Sequence, residues 1–281
     1  MSRNLMARFA VAAVAIPIIL WVCYEGGAWL FGMLLLLAIV GMGEFLIAEG
    51  FGLRSLWFFL AQIALIAAYG AAAGRLTFNV EAESTQFSLS PLIILIAFYA
   101  VSGMLMAMGR RSPAEIFARH SRLFWGVTYL SILYAVVYHV GQGWNGIGGG
   151  DLLLFLFGLL WVGDTAAMFT GKWLGRHKLA PTVSPNKTVE GFIGGIVGAL
   201  AIGGVMFVWK LSAVGLAHVL VLSIGCSICG QLGDLVESMW KRSLGIKDSS
   251  AIIPGHGGVL DRFDSLLFGA PFMYAWLHFF V

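Results

Sequence analysis

The 281-residue chain has few charged side chains. Asp, Glu, Lys and Arg make up 11% of it, against 59% hydrophobic residues and a mean hydropathy of +0.89. Soluble domains carry about 25% charged residues, so this shortage excludes an ordinary water-soluble globular protein and implies an integral membrane protein. Cysteine is also scarce. Cys23, Cys226 and Cys229 make no secreted disulfide pattern. Cys226-x-x-Cys229 lies inside an apolar stretch without partner cysteines, which argues against a redox pair or a metal site. No soluble region follows the first apolar run, so Arg3, Arg8 and the triplet Ala13-Val14-Ala15 read as a retained span and not a cleaved signal peptide. No internal repeat of a transporter kind is visible.

What the chain does have is 37 glycines and long apolar runs. Runs near ~20 residues suit helices that cross a ~30 Å hydrocarbon core, not barrel strands alternating with period two. Nine are present, at residues 9–24, 27–48, 56–73, 91–108, 123–140, 152–170, 189–209, 216–240 and 263–281. The expected fold is an all-α integral membrane protein, a polytopic bundle of about nine transmembrane helices with a cytoplasm-facing polar cavity. The glycines suit close helix packing in lipid, with G-x-x-x-G steps at Gly191/Gly195 and Gly194/Gly198. Fifteen of the 17 lysines and arginines lie in the N-terminus or in connections 49–55, 109–122, 171–188 and 241–262. Only Arg75 and Lys210 lie in the opposite set. By the positive-inside rule the N-terminus and the charged connections are cytoplasmic, and an odd span count puts Val281 outside.

The chain divides into an N-terminal membrane-helix region, residues 1–150 with about five spans, and a C-terminal catalytic region, residues 151–281, with about four spans and two charged loops. In the first region Glu44 is costly inside its apolar run. It reads either as a functional acid or as a side chain that snorkels or pairs with Arg54. Arg110, Arg111, Arg119 and Arg122 orient the protein or hold anionic lipid headgroups. The connection 74–90, with Glu81 and Glu83, reads as a solvated connector, and the Gly-rich run 141–150 as a flexible turn.

The chemistry is concentrated after residue 152. Asp164 lies inside an otherwise apolar run. Gly171 and Gly175 flank Lys172 and permit a tight turn that exposes backbone to a phosphate or base. Ser184-Pro185 reads as a helix start, Ser184 as N-cap and Pro185 in the first turn. Lys187 and Thr188 would then stand at free N–H groups and the positive dipole end, suggesting a phosphate cradle. Asp234, Glu237, Ser238 and Lys241 are spaced i, i+3, i+4 and i+7, on one helical face. Acids on such a face need a hydrated cavity, a metal or cations. Asp261 and Asp264 are again i, i+3. Asp234, Asp261 and Asp264 can thus converge from two helices as oxygen ligands for Mg²⁺, which bridges a few carboxylates and substrate phosphates. Lys241, Arg242, Lys247 and Arg262 then match a polyphosphate. His256, in Pro254-Gly255-His256-Gly257-Gly258, lies on a backbone freed by glycine. It reads as a phosphate-binding or loop-positioning residue, with a general base as the alternative.

The pattern S-x-x-K-R-x-x-x-x-K-D-x-x-x-x-x-P-x-H-G-G-x-x-D-R-x-D, from Ser238 to Asp264, resembles the signature of the phosphatidate cytidylyltransferase (CDP-diacylglycerol synthase) family. Asp164, Gly171, Gly175 and Ser184-Pro185-x-Lys187-Thr188-x-Glu190-Gly191 resemble that family's second block, with Asn186 where a small or basic residue is common. The likeness covers residues from about 160 to 281; the earlier part matches only in hydropathy and span number. The resemblance implies transfer of CMP from CTP to phosphatidate, giving CDP-diacylglycerol and pyrophosphate in phospholipid biosynthesis. It also implies Mg²⁺, a second, monovalent cation such as K⁺, a homodimer, no nucleic-acid partner, and a bacterial inner-membrane location with the active site facing the cytoplasm.

On this reading Asp234, Lys241, Arg242, His256, Asp261, Arg262 and Asp264 are catalytic, with Asp234, Asp261 and Asp264 on the metal. Asp164, Lys172, Ser184, Lys187, Thr188, Glu190, Ser238, Lys247, Asp248, Gly257 and Gly258 bind substrate. Three rivals remain: a CTP-dependent polyprenol or phytol kinase, an ion-coupled transporter using Glu44, Asp164, Glu190, Asp234 and Glu237, and a non-catalytic scaffold for anionic lipid.

Overall fold

A computed structural model describes residues 3–74, 77–80, 85–88, 90–253, 255 and 257–281. Each apolar run lies on one helix: α1 Arg3–Glu25, α2 Gly27–Ala48, α3 Leu56–Ala72, α4 Pro91–Ala107, α5 Pro113–Val140, α6 Gly149–Leu174, α7 Val189–Trp209, α8 Leu216–Ser243 and α9 Leu260–Phe280. Helix is the expected outcome because backbone polar groups in hydrocarbon must be satisfied within the segment. Among the described residues, α2, α5, α6, α7 and α8 are long and apolar enough to cross a bilayer. Ala13–Glu25, α3 and α4 are shorter apolar helices. The protein is an all-helical integral membrane protein.

α5 and α6 are among the helices that run beyond their apolar stretches. α5 starts at Pro113 because Ser112 and Glu115 form a capping box: the Glu115 N–H donates to Ser112 Oγ and the Ser112 N–H to Glu115 Oε2, both at 3.3 Å. α6 continues through Lys172 to Leu174, so Asp164 lies ten residues before its end.

Strands are few among the described residues. β1 (Thr77–Val80) and β2 (Thr85–Ser88) form an antiparallel hairpin within the connection expected to be a plain solvated link; Arg75, Glu81 and Glu83 lie outside the described residues. β3 (Lys178–Ala180) pairs antiparallel with β4 (Ser184–Thr188). This corrects the expected helix start at Ser184-Pro185. A residue before proline is steered away from the helical region, and Ser184 is instead paired with Ala180. Helix begins only at Val189, with Thr188 as its cap, Oγ1 accepting the Gly191 N–H at 3.1 Å. The glycine-rich run 141–150 is a closed turn, with Trp144 and Ile147 exchanging backbone hydrogen bonds of 3.0 and 2.7 Å.

The chain forms two compact units, Met1–Phe31 with Val137–Val281, and Gly32–Val136. In the second, α3 packs on α4. Glu49 pairs with Arg122 at 2.6 Å, and a Cβ at Gly126 would lie 2.7 Å from Phe45 Cδ1. Glu44, expected as a functional or snorkelling acid, is buried in this unit.

In the first unit α6 packs along α7, α7 against α8, and α8 along α9. The α6–α7 seam bears out the expected glycine packing. A Cβ at Gly194 would lie 2.5 Å from Thr170 Cβ, and one at Gly198 would lie 2.6 Å from Ala166 Cβ. Gly204, on the same helix, faces open space. Gly194→Leu is therefore expected to destabilise the protein by about 1–3 kcal/mol or more through overpacking. Gly204→Leu should leave the thermal midpoint in detergent unchanged. Equal midpoints for the two variants would contradict this seam.

Candidate active site

The ends of α6, α8 and α9 and the β3–β4 hairpin surround two cavities, of about 410 and 700 Å³. Asp164 and Asp234 line both. The smaller cavity is strongly charged: besides those aspartates it is lined by Ser238, Lys241, Arg242, Lys247, Asp248, Asp261, Arg262 and Asp264. The larger has more apolar walls, including Met168, Leu179 and Phe192, with Lys172, Lys187, Thr188, Asn186 and Gln231 among its polar residues.

The expected face of α8 is present. Ser238 Oγ donates to Asp234 Oδ1 at 3.2 Å. Lys187 Nζ, from β4, pairs with Asp234 Oδ2 at 2.8 Å and also donates to the Gln231 carbonyl at 3.4 Å. Asp234 thus ties the hairpin to α8 where the two cavities meet. One turn further on, Lys241 Nζ lies between two buried carboxylates, Glu237 Oε1 at 3.1 Å and Asp261 Oδ1 at 2.5 Å.

Asp261 organises the loop between α8 and α9. Its Oδ2 accepts from the Ser249 N–H, the Ser249 hydroxyl and the Gly258 N–H at 2.9, 2.9 and 2.8 Å. Gly257 has φ +83, and a Cβ there would lie 2.8 Å from Asp261 Oδ2, so glycine is required for this close approach. The loop closes through the Ile253 N–H, which donates to the Gly257 carbonyl at 2.9 Å. Pro254 and His256 lie outside the described residues.

α9 begins at Leu260, so Asp261 and Asp264 do occupy its first turn region as expected. Asp264 Oδ1 accepts the Ser265 N–H at 2.6 Å, while its carboxylate interacts electrostatically with Asp234, Asp164 and Lys241. Asp164 in turn feels Asp234 and Lys187. Three carboxyl groups from three helices therefore line one cavity. No three His, Cys, Asp or Glu side chains among the described residues stand close enough to form a closed metal-ligand set. Lys187 and Lys241 hold the carboxylates instead.

The remaining cations differ in commitment. Arg242 donates through Nη1 to the Ile246 carbonyl at 2.9 Å and through Nε to the Val183 carbonyl at 3.4 Å. Lys247 and Arg262 are exposed and line the charged cavity, and neither makes an ion pair within 4 Å among the described residues.

Some expected substrate residues line neither cavity. Ser184 pairs with Ala180 in the hairpin. Glu190 accepts from the Arg176 N–H at 3.0 Å, the His177 N–H at 3.2 Å, and His177 Nδ1 at 2.6 Å, so it holds the turn after α6. Gly258 donates its N–H to Asp261, and Gly257 leaves room for that carboxylate. Gln231 and Ser249 carry no signal in the sequence beyond proximity to the motif, and their roles come from long-range contacts. Glu237 was legible from its helical spacing.

The chain is similar to known proteins along nearly its whole length. The chain matches the model of the cytidylyltransferase family over residues 6–280. It is 34% identical over 266 residues to a phosphatidate cytidylyltransferase of Staphylococcus saprophyticus, covering 95% of this chain and 96% of the relative. The protein of that name in Staphylococcus aureus is 33% identical over 266 residues, with the same coverage of 95% and 96%. That of Bacillus subtilis is 51% identical over 116 residues, 41% of this chain and 43% of the relative. With a match spanning nearly its whole length, the chain belongs to the cytidylyltransferase family.

Proposed function

We propose that the chain transfers CMP from CTP to phosphatidate, forming CDP-diacylglycerol and pyrophosphate. The observation that carries this reading is the charged cavity, where Lys247 and Arg262 make no ion pair among the described residues while Asp164, Asp234 and Asp264 line the same space. Such a cavity suits a polyphosphate held with a cation. The family match and the relatives named phosphatidate cytidylyltransferase point to the same substrates.

In the proposed reaction a phosphate oxygen of phosphatidate attacks the α-phosphorus of CTP. The bond from that phosphorus to the bridging α–β oxygen breaks, and pyrophosphate leaves with the electron pair. A phosphate oxygen ionised at neutral pH needs no general base, so His256 is assigned to phosphate binding or loop positioning. Lys247 and Arg262 are placed to offset charge on the transferred group and on pyrophosphate, the main route to catalysis in phosphoryl transfer. Arg242, fixed by the Val183 and Ile246 carbonyls, orients the α8 end against the hairpin. Lys172, Lys187 and Thr188 line the larger, less polar cavity and bind the second substrate there. Glu190 and Ser184 act by shaping the hairpin and the turn beside it.

Carboxylate oxygens are hard donors, the chemistry Mg²⁺ prefers, and Mg²⁺ takes few carboxylates when phosphates and water complete its shell. Asp234, Asp261 and Asp264 would hold it, Asp261 exchanging its contact with Lys241, and Asp164 stands near enough in charge to join them. When bound, Mg²⁺ supplies charge neutralisation on the triphosphate. A monovalent cation beside it and a homodimer complete the proposal on the family resemblance. The positive-inside distribution supports a cytoplasmic cavity in a bacterial inner membrane, with nine spans in all. The transporter alternative is disfavoured because, of the five acids it would use, only Asp164 and Asp234 line the cavities, and there they stand among Lys and Arg.

Purified protein with CTP and Mg²⁺ should release pyrophosphate only when phosphatidate is added. Release with CTP alone would refute direct attack and favour a covalent nucleotidyl-enzyme.

A further inference from the structure

The candidate active site makes no use of the arginines around the start of α5. Arg110, Arg111 and Arg119 line a separate cavity of about 140 Å³ in the unit Gly32–Val136, together with Trp57, Leu105 and Ile116. Arg119 is half-buried, its guanidinium 4.1 Å from the centroid of the buried Phe51 ring, and it faces Arg111 and Arg122 as like charges. A guanidinium stacked on an aromatic ring keeps its N–H edge free for a planar, bidentate acceptor.

The nearby acids do not balance the cluster. Glu49, 1% exposed in its side chain, pairs with Arg122 at 2.6 Å and also attracts Arg119, while Glu115 closes the capping box with Ser112, so two acids stand against four arginines. Among the described residues none of Arg110, Arg111 and Arg119 makes an ion pair within 4 Å. Like charges around a concave space are relieved by a bound anion, and guanidinium groups favour phosphate.

Size and surroundings narrow the ligand. The cavity is smaller than the about 300–1,000 Å³ typical of pockets that enclose drug-sized molecules, which suits a phosphate group better than a whole nucleotide. Leu56, Met104, Met108 and Phe117, from the same helices or the connection between them, are each more than half exposed. These exposed apolar side chains, each next in sequence to a lining residue, suit acyl chains beside a headgroup. We infer that this cavity binds the phosphate group of an anionic phospholipid at a site distinct from the catalytic one.

The test is lipid retention by full-length protein in detergent, read by native mass spectrometry without CTP. The probes are phosphatidylglycerol, phosphatidylcholine and inorganic phosphate. Phosphatidylglycerol should be retained in preference to phosphatidylcholine, whose choline cation would oppose the arginines. R110Q/R111Q should lower that retention about tenfold or more, on the scale of a lost charge-assisted hydrogen bond. R110K/R111K should keep more of it than the glutamine pair. Turnover of R110Q/R111Q close to that of the unaltered protein will show that it is folded. Equal retention of the two lipids, or unchanged retention in R110Q/R111Q, overturns the site. Displacement of phosphatidylglycerol by millimolar inorganic phosphate as readily as by added phosphatidylglycerol overturns its assignment to lipid.

Discussion

Asp234→Ala should lower turnover by about 10³-fold or more, the scale on which charge-stabilising groups act in phosphoryl transfer, while leaving the protein folded in detergent. Asp234 lines both cavities and bridges Lys187 on the hairpin to Ser238 on its own helix. Removing it takes away one of the two carboxylates that line both cavities and frees Lys187 from its ion pair. The cost in stability should be small. The Asp234 and Lys187 side chains are 36% and 24% exposed, so their pair is screened and worth at most about 1 kcal/mol. Asp234→Asn keeps the shape and should lose nearly as much turnover, because charge and not volume is the property at issue. Elution volume and thermal midpoint establish folding, and the rate of CDP-diacylglycerol formation gives the effect. Near-normal turnover in either variant would remove Asp234 from the metal set.

Lys241→Met should act mainly on stability. Lys241 is the shared partner of Glu237 and Asp261, whose side chains are 6% and 4% exposed. Breaking a buried ion pair by removing one partner costs about 3–5 kcal/mol, because a charge is left uncompensated. For a chain of this size that corresponds to roughly 10 °C in the thermal midpoint. Asp261 keeps three donors from Ser249 and Gly258, so Glu237 should account for most of the loss. Adding Glu237→Gln to Lys241→Met is therefore expected to recover part of the midpoint. Turnover should stay low in the double variant, since the cation beside the cavity is still missing. A Lys241→Met protein as stable as the unaltered one would show that the buried triad is not what holds α8 to α9.

Asp234 and Lys241 are also the residues most legible in the sequence alone. Charge is so rare in this chain that wherever it gathers it must be solvated, paired or used. Asp234 and Lys241 stood out for that reason, as did the face they share with Glu237 and Ser238. The helices were legible because lipid leaves the backbone few alternatives. Contacts that depend on chain segments meeting across the fold were not. Ser184-Pro185 satisfies the rule for a helix start, and it equally satisfies the restriction on residues before proline. Pairing with Ala180 decided between them. Glu190 fits a substrate motif by position, yet its carboxylate is taken up by the Arg176 and His177 amides. Asp261 looked like a metal ligand; that it also braces a loop through Ser249 and Gly258 had no local signal.

The most direct measurement follows the label of CTP. Purified protein is given phosphatidate, Mg²⁺ and CTP labelled at either the α- or the γ-phosphorus, and the lipid is then extracted. The account predicts α-label in the lipid fraction and γ-label in water-soluble pyrophosphate. γ-Label in lipid, with CDP left in solution, would mean a kinase and would contradict it.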